Sequence, residues 1–510
     1  MGKKDTTYLS QSSLIYGAVL CLILAIFIGL RFLPISNATV PYTYDQGRDF
    51  MAARNIVVNK DITLIGPTTG AEGVFHGVWW YYFLSIPFVL FGGSALGFYY
   101  FIALCAVVQG VIMAWLIKKE FTPLLSLLFL GIVAISPYFI KTSVFAINSI
   151  LVLPFILILA SSAYMYFKSK KPVYLYVLAL SAGMIAEAEV AFGIFLFPSL
   201  VLAVILARQT QLFFGSFKRI LIIMGGVCSA MIFRILFELK YNFLQTRALI
   251  SFWGKEGTQP KGILDTLTER LLLFKHYYLE IYPEPIQVLG LLLLVIAFVG
   301  YIKGFKKLEI HQKKWIAFMG ILTVMLFFVS LVYKNSFFWA YYFEGIHYLF
   351  ILLVGVGLYC LGLVYKKPTD VLLSLVILLI FITGAMNLQK ARQIKPENIG
   401  LRMHTEAVSY LYKNVGNEQF CLRMYTPPVI THTYNYLLDQ QSRTGKGMYP
   451  RTEYLNNECW YFIESDSFAK RRDDWIINNI PEGASKEQEQ SMSKDLVIQK
   501  WVLKETPTEQ

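Results

Sequence analysis

Charge is what this chain has least of. Asp, Glu, Lys and Arg together make 15% of its 510 residues, against 56% hydrophobic, and that excludes an ordinary soluble globular protein. Acids are scarcer than bases, 33 against 46, for a net charge of +13. The lysines fall in short clusters between apolar runs rather than on one basic face, which excludes a nucleic-acid footprint. Only six cysteines occur, none in CxxC spacing, so zinc-knuckle and dithiol motifs are absent. Cys21, Cys105, Cys228 and Cys360 lie in apolar runs, as small hydrophobes do. Cys421 and Cys459 lie in a polar region, as a disulfide if it is extracytoplasmic or as two buried thiols. No internal repeat or low-complexity tract is present, and no small-residue cleavage site follows the first apolar run. Lys3 and Lys4 therefore flank an uncleaved span, not a signal peptide.

What the chain has in abundance is apolar sequence. About eleven runs approach or exceed the roughly 20 residues that cross a bilayer: 13–34, 95–117, 123–140, 149–167, 173–190, 192–207, 220–237, 286–302, 315–333, 346–365 and 370–387. With the N-terminus inside, the basic clusters (Lys118-Lys119, Lys168 to Lys171, Lys303 to Lys314 and Lys366-Lys367 among them) all fall on the cytoplasmic side, opposed only by Asp5, Glu120, Glu309 and Asp370. That bias sets the orientation. Loops 35–94, 141–148, 238–285 and 334–345 and the tail then face outward. His76–Phe91 is apolar but only 16 residues long, about 24 Å as a helix. It reads as an interfacial helix, with Trp79, Trp80, Tyr81 and Tyr82 at headgroup level. After residue 387 the composition turns polar. Met403–Asn414 has helical spacing, while Phe420–Tyr425, Cys459–Ile463 and Leu496–Leu503 read as strands. The expectation is a multi-pass, all-α cell-membrane protein: a module over 1–387 and a small extracytoplasmic α/β domain over 388–510.

Against so greasy a background the first outward loop stands out. It holds Tyr42-Thr-Tyr-Asp-Gln-Gly-Arg-Asp-Phe50 and Glu72-Gly-Val-Phe-His-Gly-Val-Trp-Trp80, and charged groups beside a bilayer tend to mark function. If Tyr44–Asn55 is helical, Asp45 and Asp49 share a face with Arg48 adjacent. A partly desolvated carboxylate near a cation can deprotonate a hydroxyl; a surface ion pair with Asp45 as a helix cap is the plain alternative.

The segment from Tyr44 to Gly92 resembles the first outer loop of the GT-C glycosyltransferases, which include protein O-mannosyltransferases and the lipid A aminoarabinose transferase. Asp45-Gln46 stands at their acidic pair and Arg48 at a frequent arginine. Asp61-Ile-Thr-Leu-Ile-Gly-Pro67 and Phe75-His76-Gly-Val-Trp-Trp-Tyr-Tyr82 resemble the next two landmarks, and Leu90-Phe-Gly92 closes the segment. Gln46 replaces the second acid, and Gly77-Val78 stand where relatives carry Pro-Pro. The resemblance implies a GT-C-like fold and an inverting hexosyl- or pentosyltransferase of the cell envelope. Its donor would be a polyprenyl-phosphate sugar, and its acceptor a protein, lipid or glycan hydroxyl. Asp45 would be the general base. Tyr44, Arg48, Asp49, Glu72, His76, Glu187, Glu189, Lys240 and Arg247 would bind substrate.

Each of these has a plainer reading. His76, Lys240, Arg247 and Lys334 are donors for a leaving phosphate, or interfacial anchors that snorkel. Glu187 and Glu189 either line a sugar cavity or sit on a wet hairpin tip. Arg234 pairs with Glu238 one turn away, Asn148 contacts the donor or caps a helix, and His347, beside the aromatics Phe337–Tyr342, is an interfacial side chain. No cofactor is called for, and one acid with scattered cations does not make a metal-ligand set, although a divalent ion is left open. Membrane lipid is a partner and nucleic acid is not. The rival readings are a flippase or transporter of lipid-linked glycans, which would favour an internal repeat and small outer loops, and a surface-polysaccharide polymerase or ligase.

Overall fold

The computed structural model describes residues 4–254, 261–334, 338–393 and 396–503; Lys3 and Phe337 lie outside them. The chain opens with α1 (Lys4–Ser36), and the first loop then folds into α2 (Tyr44–Arg54) and α3 (Trp79–Leu90). Next come α4 (Ala95–Glu120), α5 (Pro123–Ile135), α6 (Pro137–Ser143), α7 (Val152–Ser169), α8 (Pro172–Ala188), α9 (Val190–Leu206) and the short α10 (Thr210–Phe214). The remainder of the apolar part is α11 (Phe217–Ala230), α12 (Ile232–Lys240), α13 (Leu244–Gly254), α14 (Ile263–Leu279), α15 (Gln287–Gly304), α16 (Ile310–Ser330), α17 (Ile346–Gly362) and α18 (Lys366–Gln393).

Among the described residues, six helical segments are long and apolar enough to cross a membrane unaided: Ser13–Ser36, Ala95–Glu120, Asn148–Ser169, Glu284–Lys307, Ile310–Ser330 and Lys366–Gln393. Two further runs are bent pairs, α5 with α6 at 65° and α11 with α12 at 73°, so 123–140 and 220–237 are not the continuous spans their composition implies. Pro137 explains the first break: it has no N–H to continue the ladder, and Ser136 before it is extended. At the second break the freed Ala230 carbonyl accepts from Trp79 Nε1 at 2.6 Å. Helices α8, α9 and α17 have 17 residues each, about 25 Å. Of the eleven expected runs, six lie on such helices, two on the bent pairs and three on shorter apolar helices, so among the described residues six, or eight with each bent pair as one span, are long and apolar enough to cross.

The interfacial helix of the first loop is α3, but its aromatics do not all face lipid headgroups. Trp80 is 1% exposed and Tyr81 is also buried, packed onto α2.

The last domain contains α19 (Gly400–Val415), β1 (Leu422–Tyr425), α20 (His432–Arg443), β2 (Glu458–Glu464), α21 (Ala469–Asn479), β3 (Ala484–Ser493) and β4 (Leu496–Leu503). The sheet order is β1-β2-β4-β3; β1 runs parallel to β2, and the other pairs are antiparallel. Central β2 is buried along Cys459–Ile463, as its unbroken apolar run requires. Edge strand β3 carries Lys486, Glu487 and Glu489, charges that discourage pairing with another chain. Cys421 and Cys459 form a disulfide. Of the other four cysteines, Cys360 is buried while Cys21 and Cys228 are exposed on apolar helices.

Helix α20 lies directly on α2. A Cβ on Gly47 would stand 2.2 Å from the His432 carbonyl oxygen, so only glycine admits this approach. Tyr42 Oη donates to the Thr433 carbonyl at 2.9 Å, and Arg54 pairs with Asp439 at 3.1 Å. The first loop and the last domain are thereby packed together.

Candidate functional site

The site is built on the first turns of α2. Thr43 is extended and precedes the helix, and Gln46 Oε1 accepts from both its backbone N–H (2.7 Å) and its hydroxyl (2.8 Å). This tie fixes where the helix begins. Asp45 then falls in the first turn, where the helix dipole favours a carboxylate, and pairs with Arg48 at 2.9 Å. Arg48 Nε also donates to Asp49 Oδ1 at 2.8 Å, and Trp80 Nε1 donates to Asp49 Oδ2 at 2.7 Å. The two aspartates are therefore not equivalent. The Asp45 side chain is 37% exposed and that of Asp49 1%. Only Asp45 is open to a reactant; Asp49 anchors Arg48 and α3.

Burial pushes Asp49 up to about 6, against the pull of Arg48 and Trp80. A folded pKa above the unfolded value means that the fold holds the proton more tightly. Stability from this group is full below about 4 and is lost as pH rises through about 6. The thermal midpoint is expected to fall across that window, and Asp49→Asn, which stays neutral throughout, should flatten the slope.

Gln46, at the position of the missing second acid, is fully buried, and its Nε2 donates to the Ala146 carbonyl at 3.2 Å. An amide supplies this donor and a carboxylate does not. Gln46→Glu is expected to lower stability by about 1–3 kcal/mol, read as a lower unfolding midpoint, and to add no activity.

Beyond α2 the loop is clamped to α8. Gly77 N donates to the Glu187 carbonyl at 2.6 Å, and Asn148 Nδ2 donates to the Ala188 carbonyl at 2.7 Å. Arg234, on the bent-in α12, pairs with the buried Glu187 carboxylate. It also donates to the Phe75 carbonyl at 3.1 Å and to Gln245 Oε1 at 2.9 Å. The expected Arg234–Glu238 pair does not form; Glu238 Oε1 instead accepts from Thr246 N at 3.2 Å. Helical spacing offered that partner, but the 73° bend turns Arg234 toward α8. Gly77, at the position of the relatives' Pro-Pro, is explained as well: a Cβ there would lie 2.2 Å from Glu187 Oε2.

The remaining predicted residues separate into those near Asp45 and those apart from it. Tyr44, 36% exposed, is raised by the charge of Asp45, then by burial. Glu189, 3% exposed, accepts from Ala191 N at 3.3 Å and so caps α9. Tyr341 joins the two: burial pushes its phenol up to about 12, and the charges of Glu189 and Asp45 add to this. His76 has a buried Nδ1 without a hydrogen-bond partner, and burial together with the fields of Arg234 and Arg48 lowers it to about 3. It is a neutral imidazole at physiological pH, not a cation. Glu72, Lys240 and Arg247 are exposed, and the Lys240 ammonium lies 5.2 Å from the Tyr241 ring centroid.

Two groups were not legible beforehand. His432, at the start of α20, is lowered by burial and feels both Arg48 and Asp45, so the last domain reaches the site. His347 is not an interfacial side chain: it is 1% exposed, stacks on Tyr138 and bonds Glu280 Oε1 at 2.7 Å. Tyr138 in turn donates to the Glu344 carboxylate. No local sequence signal marks either histidine, because each meets its neighbours across long separations.

No family model matches the chain, and no curated protein matches it. Among solved structures, ArnT from Cupriavidus metallidurans bound to undecaprenyl phosphate superposes with a TM-score of 0.58 at 10% identity, covering 96% of this chain and 98% of that one. The apo state of the same protein gives 0.58 at 10% identity over 97% and 98%. The fold is the GT-C fold. At this identity the likeness to ArnT is one of architecture, from the first span to the last strand, and the apolar helices make the chain a membrane protein.

Proposed function

We propose that the chain is an integral membrane glycosyltransferase that moves a sugar from a polyprenyl phosphate to a hydroxyl acceptor at the outer face of the membrane. The observation that carries this reading is the pairing of Asp45 with Arg48 at 2.9 Å while its carboxylate remains accessible. Asp45 takes the proton from the acceptor hydroxyl. The oxygen attacks the anomeric carbon opposite the phosphate, the bond from that carbon to the phosphate oxygen breaks, and the lipid phosphate leaves with the electron pair, inverting the centre. Arg48 is the donor beside that position, and His432 and Tyr341, which feel the charge of Asp45, are further candidates; His76, being neutral, supplies a hydrogen bond at most. Glu187 serves the clamp rather than the sugar. The fold shared with a protein crystallised with undecaprenyl phosphate supports the donor class. The basic clusters support an N-terminus inside and the last domain outside.

The test is incubation of purified protein in nanodiscs with labelled polyprenyl-phosphate sugars and membrane extract. Label moving to an acceptor, with one lipid phosphate released per transfer, is the expected result. Glycolipid crossing vesicle membranes with no transfer would replace this reading with the transporter.

A further inference from the structure

One turn of helix, Ala340–Phe343, lies in the outward connection between α16 and α17. Its backbone is held by buried groups on three sides. Tyr277 of α14 donates to the Ala340 carbonyl at 2.6 Å. Tyr138 of α6 donates to the Glu344 carboxylate and accepts from Gly345 N at 2.7 Å. Phe343 is fully buried and packs against Phe192 and Phe195 of α9. What the same turn shows to its surroundings is quite different. Trp339 is 52% exposed and Tyr341 42%, and their rings lie nearly parallel, at 16° with centroids 6.1 Å apart.

Exposed aromatics beside a bilayer are usually headgroup anchors. An anchor gains nothing from a fixed backbone, because lipids adapt to it. A recognition surface does gain, since rings held beforehand lose less freedom on binding. Tyr341 also stands beside the base: burial apart, the charges that act on its phenol are those of Glu189 and Asp45. Tyr44, itself partly exposed, feels Asp45 as well.

Parallel, exposed rings beside a group that activates hydroxyls suit one kind of molecule. A sugar ring has apolar C–H groups on its faces, which rest on aromatic faces, and hydroxyls around its edge, which stay free to react. A peptide hydroxyl suits the place less well. Extended peptides dock by adding to a strand edge, whereas α2, the start of α20 and the Ala340–Phe343 turn are all helical.

We propose that Trp339 and Tyr341 form a platform for a sugar ring of the acceptor, so that the hydroxyl delivered to Asp45 belongs to a saccharide. The proposal deepens the glycosyltransferase reading and rests on it. Tyr277 and Tyr138 are positioning residues that keep the platform in place.

The test uses purified full-length protein in nanodiscs, with labelled polyprenyl-phosphate sugars as donors. The acceptors offered are di- and trisaccharides of glucose, mannose, galactose and N-acetylglucosamine, and peptides containing Ser and Thr. Label is expected on at least one saccharide. Trp339→Leu should raise the KM for that saccharide by about two- to tenfold, the worth of an aromatic face contact, with kcat at saturation little changed. Trp339→Phe should keep most of the affinity. Tyr277→Phe, which frees the Ala340 carbonyl, should raise the same KM several-fold and again spare kcat. A KM unchanged in both Trp339→Leu and the double variant Trp339→Leu with Tyr341→Leu overturns the platform and leaves the rings as headgroup anchors. Transfer to peptides and to no saccharide overturns it too. Saccharide binding without donor, read by saturation-transfer NMR, separates the two readings, because Asp45→Asn should bind as wild type does and fail to transfer. Binding that weakens in Trp339→Leu, with no transfer by wild type, sinks only the enzyme; transfer with no saccharide bound at millimolar concentration sinks only the platform.

Discussion

Asp45→Asn is expected to cut sugar transfer by about 10²–10⁴-fold, the usual contribution of a positioned general base, with the unfolding midpoint almost unchanged. The asparagine is isosteric and still accepts from Arg48, but it cannot take the acceptor's proton. Stability should barely respond, because the Asp45 side chain is 37% exposed and exposed ion pairs contribute little. Asp49→Asn is the control. Its carboxylate is held by Arg48 and Trp80 and is closed to reactants, so the loss in transfer should be far smaller. Equal losses for the two variants would mean that position rather than proton transfer matters, and would remove Asp45 from its role.

Arg234→Met should be the most destabilising single change in the first-loop region, by about 3–5 kcal/mol, because it leaves the buried Glu187 carboxylate without its partner. Three other groups lose their tie in the same change: the Phe75 carbonyl, Gln245 and, through Glu187, the close approach of Gly77. The measurement is the unfolding midpoint in detergent. Glu187→Gln combined with Arg234→Met removes both charges and should recover part of the loss, as expected for a buried pair. A midpoint unchanged in Arg234→Met would show that the clamp carries no weight.

The broad architecture was legible because it rests on composition. Apolar runs of about twenty residues and polar loops specify spans whatever surrounds them, and β2 and β4 announced themselves as apolar runs. Edge strand β3 was invisible for the opposite reason: its outward residues are charged, so no alternation survives. Within the site, the spacing of Asp45, Arg48 and Asp49 was readable, and so was the greater promise of Asp45. The partners that decide the roles were not. Trp80 comes to Asp49 across 31 positions, Arg234 to Glu187 across 47, and Gln46 to Ala146 across 100. Helical periodicity sees only neighbours three or four apart, which is why it gave Arg234 to Glu238. Gln46 read as a lost acid, and the fold explains it as a buried amide.

The docking of α20 on α2 has a temporal side. Tyr42 and Thr433 are 391 positions apart, and Arg54 and Asp439 are 385 apart. A ribosome adding roughly 5–20 residues per second takes on the order of 20–80 seconds between making one face of that contact and making the other. Through that interval the Gly47 surface of α2 is bare and His432 is not yet synthesised. The Gly47 face of α2 is therefore covered only when the end of the chain folds back over its beginning.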